Sequence, residues 1–146
     1  MSNPLVVVVE DDPAIRDVLV DLLRSEGYAV QTIADGHAAA QCIQRINDTI
    51  GPIAAITLDL TLPGKDGASV LKELKDNPRT RQVPVVVVSA NARLLSADTR
   101  PLAAAVIRKP FDILHFLDTL SNLIGSHWPN IPPFRTAALV SRLRSQ

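Results

Sequence analysis

Charged and hydroxyl side chains follow four of the five short apolar runs in this sequence, at the point where each run ends. They are Glu10, Asp11 and Asp12 after the first run, Asp59 after the third, Ser89 after the fourth and Lys109 after the fifth. Clustered carboxylates raise one another's pKa unless a cation neutralises them, and Mg²⁺ is a hard cation that takes oxygen ligands. A lone aspartate beside a metal ion and a lysine can act as a nucleophile toward a phosphoryl donor, and a hydroxyl can donate to a phosphate oxygen. These residue types together favour an acyl phosphate on Asp59.

The elements that must position these residues alternate between short β-branched runs and longer stretches with helical spacing, which is typical of an α/β domain with a buried parallel sheet. The predicted strands cover residues 5–10, 29–34, 53–60, 83–88 and 103–108. The first predicted helix opens at Pro13 and ends at Gly27, and the others cover residues 37–47, 68–77, 91–99 and 111–124.

In an open parallel sheet the ligand site lies outside the carboxyl ends of the strands. A strand order of 2-1-3-4-5 makes strands one, three, four and five neighbours, so their polar ends would converge on one edge. With this order, the predicted fold is α/β, a (βα)5 doubly wound five-stranded parallel sheet, order 2-1-3-4-5, with a short C-terminal extension.

Helical spacing also predicts the buried face of the first and last helices. The predicted buried residues are Ile15, Val18, Leu19, Leu22 and Leu23 in the first helix, and Ile113, Leu114, Leu117, Leu120, Leu123 and Ile124 in the last. Pro101 is expected to stop the fourth helix, because a proline disfavours helical geometry in the residue before it.

Other polar residues have simpler predicted roles. Asp12 is expected to cap the first helix, since acidic residues are favoured at a helix N-terminus. His37, His115 and His127 are expected on the solvated surface.

Composition argues against several classes of function. Fifteen basic and fifteen acidic residues cancel, so no strongly basic binder of nucleic acid or anionic membrane is indicated. The aliphatic runs are far shorter than the roughly 18 residues of a membrane helix, and the N-terminus lacks the positive region of a signal peptide, so a cytoplasmic location is expected. Cys42 is the single cysteine, and the scattered histidines form no metal motif, so any metal would be held by oxygen.

The boundary of the domain is predicted from a shift in composition near its last helix. Residues 1–124 are expected to form the domain, and residues 125–146 a C-terminal extension with a Pro-rich segment and a basic amphipathic stretch that could form a short helix. This extension would serve either as a linker or as a helix docked on the domain.

Four segments carry the candidate chemistry: VVVVEDDPAIRDVL, LDLTLPGKDG, VPVVVVSAN and IRKPF. In their order and spacing they resemble the receiver domains of two-component response regulators, over about residues 4–124. The resemblance implies that Asp59 is the phosphoacceptor and also contacts Mg²⁺, that Asp11 is a direct metal ligand and that Glu10 contacts the metal through water. It further implies that the backbone carbonyl of Thr61 is a metal ligand.

The same resemblance assigns Ser89 as the switch hydroxyl and Lys109 as the phosphate-binding lysine. It also implies a cis peptide bond between Lys109 and Pro110. Receivers usually carry an aromatic residue where this sequence has Val106, so the sequence departs here from the usual form of the switch.

The function implied by the resemblance is a phosphorylation-dependent signalling switch. A histidine kinase or a histidine phosphotransfer protein would supply the phosphoryl group, and the output would be protein–protein contact without direct DNA binding by this chain. Two alternatives stay open: a degenerate, phosphorylation-independent interaction module, and the N-terminal receiver fragment of a longer multidomain regulator or kinase. A turnover phosphatase of the haloacid dehalogenase type is not expected, because its second aspartate is replaced here by Thr61.

Overall fold

The computed structural model describes residues 3–127, in which a five-stranded parallel sheet carries helices on both faces. The strands are Leu5–Val9 (β1), Ala29–Ile33 (β2), Ile53–Leu58 (β3), Val85–Ser89 (β4) and Ala105–Arg108 (β5). The α-helices are Pro13–Ser25 (α1), Ala39–Thr49 (α2), Gly67–Asp76 (α3) and Ile113–His127 (α4). The strand order β2-β1-β3-β4-β5 confirms the predicted fold. Residues 128–146, with most of the predicted extension, lie outside the described residues.

The sheet forms because its central strands can bury both of their faces. Every residue of β1, β3 and β4 is buried. Alternate side chains point to opposite faces, so Val7 and Val9 pack with residues of α2 and α3, whereas Val6 and Val8 pack with residues of α1 and α4. The sheet is therefore packed between two apolar layers, one on each face.

Local signals set the start and the end of α1. The Asp12 carboxylate accepts hydrogen bonds from the backbone N–H groups of Ala14 (2.9 Å) and Ile15 (3.2 Å), which confirms its predicted role as the N-cap. Pro13 occupies the first turn, where its missing N–H costs nothing. The chain leaves the helix through Gly27, whose φ of +92° favours glycine.

Helix α3 begins directly against the end of β3. Its N-cap is Asp66, whose carboxylate accepts the Ser69 N–H at 3.0 Å. The Gly67 N–H donates to the Leu60 carbonyl at 2.9 Å. A Cβ at position 67 would overlap the Asp59 carbonyl oxygen and would lie 2.6 Å from the Leu60 Cα. The helix can approach the strand end this closely because residue 67 has no side chain.

The single short helix predicted over residues 91–99 does not form, although the irregularity expected from Arg100, Pro101 and Leu102 before the fifth strand is present. Two 3-10 helices, Ala92–Leu94 and Arg100–Leu102, connect β4 to β5 instead. Between them, the Ser96 hydroxyl accepts the Thr99 N–H at 3.3 Å, and such local bonds from serine compete with helical ones. Pro101 was expected to stop the fourth helix, but it lies within the first turn of the second 3-10 helix.

Two residues predicted in the buried faces are exposed. Val18 in α1 is 50% exposed and Ile113, the first residue of α4, is 42% exposed. Leu19 and Leu23 form the buried part of α1 as predicted, and Val18 lies about 100° around the helix from Leu19. The sheet therefore covers only the centre of the apolar stripe. His37 and His115 are exposed as predicted, and no placement is described for the His127 side chain.

Among residues 3–127, no helix combines the length and the hydropathy that a membrane span requires.

The close contact at Gly67 can be tested by a pair of glycine substitutions. We expect Gly67→Ala to lower the free energy of unfolding by about 1–3 kcal/mol, because the new methyl group overlaps backbone atoms that cannot move aside. Gly125→Ala is the control, since an added Cβ in that part of α4 meets nothing within 4 Å. The control should be neutral or stabilising by up to about 1 kcal/mol. Urea denaturation followed by circular dichroism measures both, and equal stabilities of the two variants would contradict the prediction.

Candidate functional site

The register of the central strands brings the first two acidic residues to one edge of the sheet. Val9 in β1 pairs with Leu58 in β3, so the next residues, Glu10 and Asp59, leave the sheet at the same level. The Asp59 N–H donates to the Val9 carbonyl at 3.0 Å and extends the pairing by one bond. Parallel pairing thus places two carboxylates side by side.

Ser89 and Lys109 reach the same edge from the next two strands. Ser89, the last residue of β4, pairs with Arg108, the last residue of β5. The Lys109 N–H then donates to the Ser89 carbonyl at 3.0 Å. The Ser89 side chain is fully buried, and its hydroxyl accepts the Asn91 N–H at 3.2 Å. The hydroxyl keeps its own proton available for another acceptor.

The Lys109 ammonium group bridges the two buried carboxylates. Its Nζ lies 2.6 Å from Glu10 Oε1 and 3.0 Å from Asp59 Oδ2. Glu10 is 2% exposed and Asp59 is 6% exposed, so water screens these charges poorly. The other Asp59 oxygen, Oδ1, accepts the Thr61 N–H at 3.0 Å. The bridge therefore partly neutralises a concentration of negative charge inside the protein.

Proton affinities at this site reflect the competition between burial and ion pairing. Burial raises the pKa of Glu10 to about 7, and the neighbouring Asp59 adds to this effect, whereas the hydrogen bond from Lys109 opposes it. Burial alone would lower the pKa of Lys109, but its bonds to Glu10 and Asp59 outweigh burial and raise that pKa. The lysine accordingly stays charged.

The acidic cluster has the donor chemistry of a site for a hard divalent cation. Glu10, Asp11 and Asp59 each offer one carboxylate oxygen, and these three atoms all lie within 4.8 Å of one another. Three carboxylates exceed the single charge of Lys109, and oxygen donors fit Mg²⁺. The structure brings together the three side chains predicted to contact the metal. The metal-ligand role of the Thr61 carbonyl stays a prediction.

Sequence reasoning missed one contact of this site. Arg16, the fourth residue of α1, donates a hydrogen bond from Nη1 to the Glu10 carbonyl at 3.2 Å. The signal available in the sequence was a cation in the first turn of a helix, where the helix dipole disfavours positive charge. A cation at such a position is expected to have a partner outside the helix.

An apolar groove of about 580 Å³ lies beside the acidic cluster, between the start of α1 and the start of α4. Its lining residues are Ala14, Ile15, Val18, Ala90, Lys109, Pro110, Phe111 and Ile113. The peptide bond between Lys109 and Pro110 is cis, as the sequence resemblance implied. The exposed side chains of Val18 and Ile113 thus line the same groove as Lys109.

A fold and a site of this kind recur among known proteins. The family model of the response regulator receiver domain matches residues 6–121. This chain therefore belongs to the response regulator receiver domain family.

Two solved structures and one curated relative illustrate the similarity. One structure is the receiver domain of the sensor histidine kinase PA1611 from Pseudomonas aeruginosa PAO1, solved with magnesium coordinated in its active-site cleft. It is 30% identical to this chain with a TM-score of 0.72, and the match covers 85% of this chain and 99% of that chain. A sensor protein from Polaromonas sp. JS666 is 34% identical with a TM-score of 0.72, and that match covers 84% and 97%. The transcriptional regulator RpaA of Synechocystis sp. is 32% identical over 124 residues, which cover 83% of this chain and 49% of RpaA. The chain spans half or less of the length of the curated relatives it matches.

The lysine bridge predicts a link between Lys109, Mg²⁺ and stability. At pH 8 in EDTA, Lys109→Met should lower the free energy of unfolding by about 3 kcal/mol, because two buried carboxylates lose their cation. Added Mg²⁺ should raise the melting temperature of this variant more than that of the wild type, because the metal replaces the lost charge.

The matched control is Lys72→Met, which removes an exposed lysine of α3. Its melting temperatures with and without Mg²⁺ should follow those of the wild type. A Lys109→Met protein as stable in EDTA as the wild type would show that the bridge contributes nothing.

Proposed function

We propose that this protein is a phosphorylation-dependent switch of a two-component system, in which Asp59 accepts a phosphoryl group from a phosphohistidine partner. The observation that carries the proposal is the buried grouping of Asp59, Glu10 and Lys109, with ammonium-to-carboxylate distances of 2.6 and 3.0 Å. Membership of the receiver family supports it independently.

In the proposed reaction an oxygen of the Asp59 carboxylate attacks phosphorus. The new O–P bond forms as the N–P bond of the donor histidine breaks, and the electron pair of that bond returns to the imidazole nitrogen. Asp59 Oδ1 is held by the Thr61 N–H, which fixes the plane of the carboxylate during the attack. Lys109 is already within hydrogen-bond reach of this carboxylate and offers its ammonium to the oxygens of the incoming group.

Glu10, Asp11 and Asp59 would hold Mg²⁺, with the Thr61 carbonyl as a further ligand. When bound, the ion supplies positive charge that offsets the phosphoryl oxygens and orients them for transfer. Oxygen-only donors within 4.8 Å of one another support this assignment.

The product would carry about 1.5 to 2 additional negative charges at the end of β3. Ser89 is the buried hydroxyl at the neighbouring strand end and is proposed to donate to a phosphoryl oxygen. Such a bond would draw the loop after β4 toward Asp59 and change the surface offered to a protein partner. Because Val106 occupies the usual aromatic position, this response would rely on Ser89 and backbone movement.

The apolar groove supports a proteinaceous phosphodonor, either a histidine kinase or a histidine phosphotransfer protein. An amphipathic helix of the donor can pack its apolar side chains against Val18 and Ile113 in the groove, which Lys109 also lines. The Lys109 ammonium lies 3.0 Å from Oδ2 of the acceptor, Asp59. This placement would bring the donor imidazole to Asp59 and shield the reaction from water.

The proposed role is that of a stoichiometric acceptor and not of a turnover enzyme. Two residues after the acceptor, where a phosphatase would need a general acid, the chain has Thr61, which cannot protonate a leaving group. A cytoplasmic location is part of the proposal.

The acceptor assignment predicts the outcome of labelling with a small donor. Incubation with acetyl phosphate and Mg²⁺ should add one phosphoryl group to the wild type, measured as intact mass. The addition should not occur in EDTA or in Asp59→Asn, which keeps the shape of the side chain but removes the nucleophilic carboxylate.

Asp66→Asn is the matched control, because asparagine caps a helix as well as aspartate does. This variant should label like the wild type. Labelling of Asp59→Asn would place the acceptor elsewhere, whereas an unlabelled wild type that also fails to bind Mg²⁺ would favour the phosphorylation-independent interaction module.

The groove predicts a difference between protein donors and small donors. Val18→Asp should slow phosphoryl transfer from a phosphorylated histidine phosphotransfer protein by about tenfold or more, because it buries a charge in an apolar contact. Labelling by acetyl phosphate should stay unchanged, since the acceptor itself is untouched. Leu94→Asp changes another exposed apolar residue, which is 47% exposed and is not among the residues that line the groove, and it should affect neither donor. Equal slowing of transfer by both variants would contradict the binding of the protein donor in the groove.

A further inference from the structure

We infer that Arg16 is a positioning residue that sets the metal affinity of the acidic cluster by holding the peptide unit between Glu10 and Asp11. This inference rests on the proposed function, because it concerns the same Mg²⁺ site. Arg16 itself is not proposed to touch the metal or the phosphoryl group.

The argument starts from the backbone at the end of β1. The Glu10 N–H donates to the Ile33 carbonyl of β2 at 2.9 Å, and the Glu10 carbonyl accepts from Arg16 Nη1 at 3.2 Å. A peptide unit is planar, so a bond to the Glu10 carbonyl also fixes the direction of the Asp11 N–H and the position of the Asp11 Cα. The guanidinium therefore orients the link that joins two predicted metal-binding residues.

The position of Arg16 within α1 supports this role. A cation in the first turn lies near the positive end of the helix dipole, so the helix gains no stability from it. By contrast, Arg24 lies in the last turn of the same helix, where positive charge is favourable. Arg16 is half-buried although neighbouring Asp17 is exposed, and its side chain folds back to the strand end. A contact outside the helix accounts for this placement.

Two effects of Arg16 on the metal would have opposite signs. Removing a positive charge near three carboxylates should, by electrostatics alone, strengthen the binding of Mg²⁺. Loss of orientation should weaken it, because the carboxylates must then be brought into place when the ion binds, and loss of an outer-shell partner typically lowers metal affinity 10–100-fold. A weaker affinity in a variant without the guanidinium therefore identifies positioning.

The experiment compares Arg16→Met, Arg16→Lys and Arg24→Met with the wild type, all as the full chain. Isothermal titration with MgCl₂ at fixed ionic strength should show affinity reduced about tenfold or more in Arg16→Met. Arg16→Lys keeps the charge but lacks the guanidinium, and it should show an intermediate affinity. Arg24→Met removes a charge at the far end of the helix and should bind Mg²⁺ like the wild type.

A second measurement needs no metal. In EDTA, the amide hydrogen of Asp12, which donates to Glu10 Oε2 at 3.4 Å, should exchange about fivefold or more faster in Arg16→Met than in the wild type, while amides of β3 and β4 keep their protection. Uniform loss of protection would show a purely structural role and overturn the inference. So would Mg²⁺ affinity in both Arg16 variants that equals or exceeds the wild-type value.

The two measurements separate this inference from the proposed function. If the wild type binds no Mg²⁺, the proposed function fails, and the exchange rates in EDTA still decide whether Arg16 holds the Glu10–Asp11 peptide. If the wild type binds Mg²⁺ and Arg16→Met binds it equally well, only the role of Arg16 is lost.

Discussion

The structure depends on charge balance at one edge of a buried parallel sheet. Glu10 and Asp59 are held next to each other because β1 and β3 are paired in register, and neither carboxylate can turn away into water. Lys109 supplies the opposite charge from the end of β5, which lies two strands from β3 and three strands from β1. A site of this kind requires every strand between these residues, since a change of register by one residue would turn a carboxylate toward an apolar layer.

The strands and most of the helices could be predicted, because a few strong signals agree. Valine-rich runs that are buried on both faces, the cap at Asp12 and the glycine at position 27 each indicate an element boundary by a local mechanism. Given the strand order, the polar residues at the ends of β1, β3, β4 and β5 meet at one edge of the sheet. The exact ends of the elements differ from the prediction by a few residues, as is usual where a terminal turn has few hydrogen bonds.

The features that could not be predicted depend on competition between local and tertiary interactions. Residues 91–99 have apolar spacing compatible with a helix, but Ser96 and Thr99 satisfy each other's polar groups and keep the segment in shorter turns. Val18 has the spacing of a core residue, but it lies exposed in the lining of the groove. The bond from Arg16 to the Glu10 carbonyl joins a side chain to a backbone atom, and periodicity contains no information about such a contact.

Lys109 belongs to two surfaces at once, since it lines the groove and also binds the carboxylates of Glu10 and Asp59. A residue shared in this way can link two sites thermodynamically. Any occupant of the groove that shifts the Lys109 side chain must change the affinity of the carboxylates for a cation, and the cation must change the affinity for that occupant by the same factor. The direction of this reciprocity depends on whether the occupant draws the ammonium group toward the carboxylates or away from them.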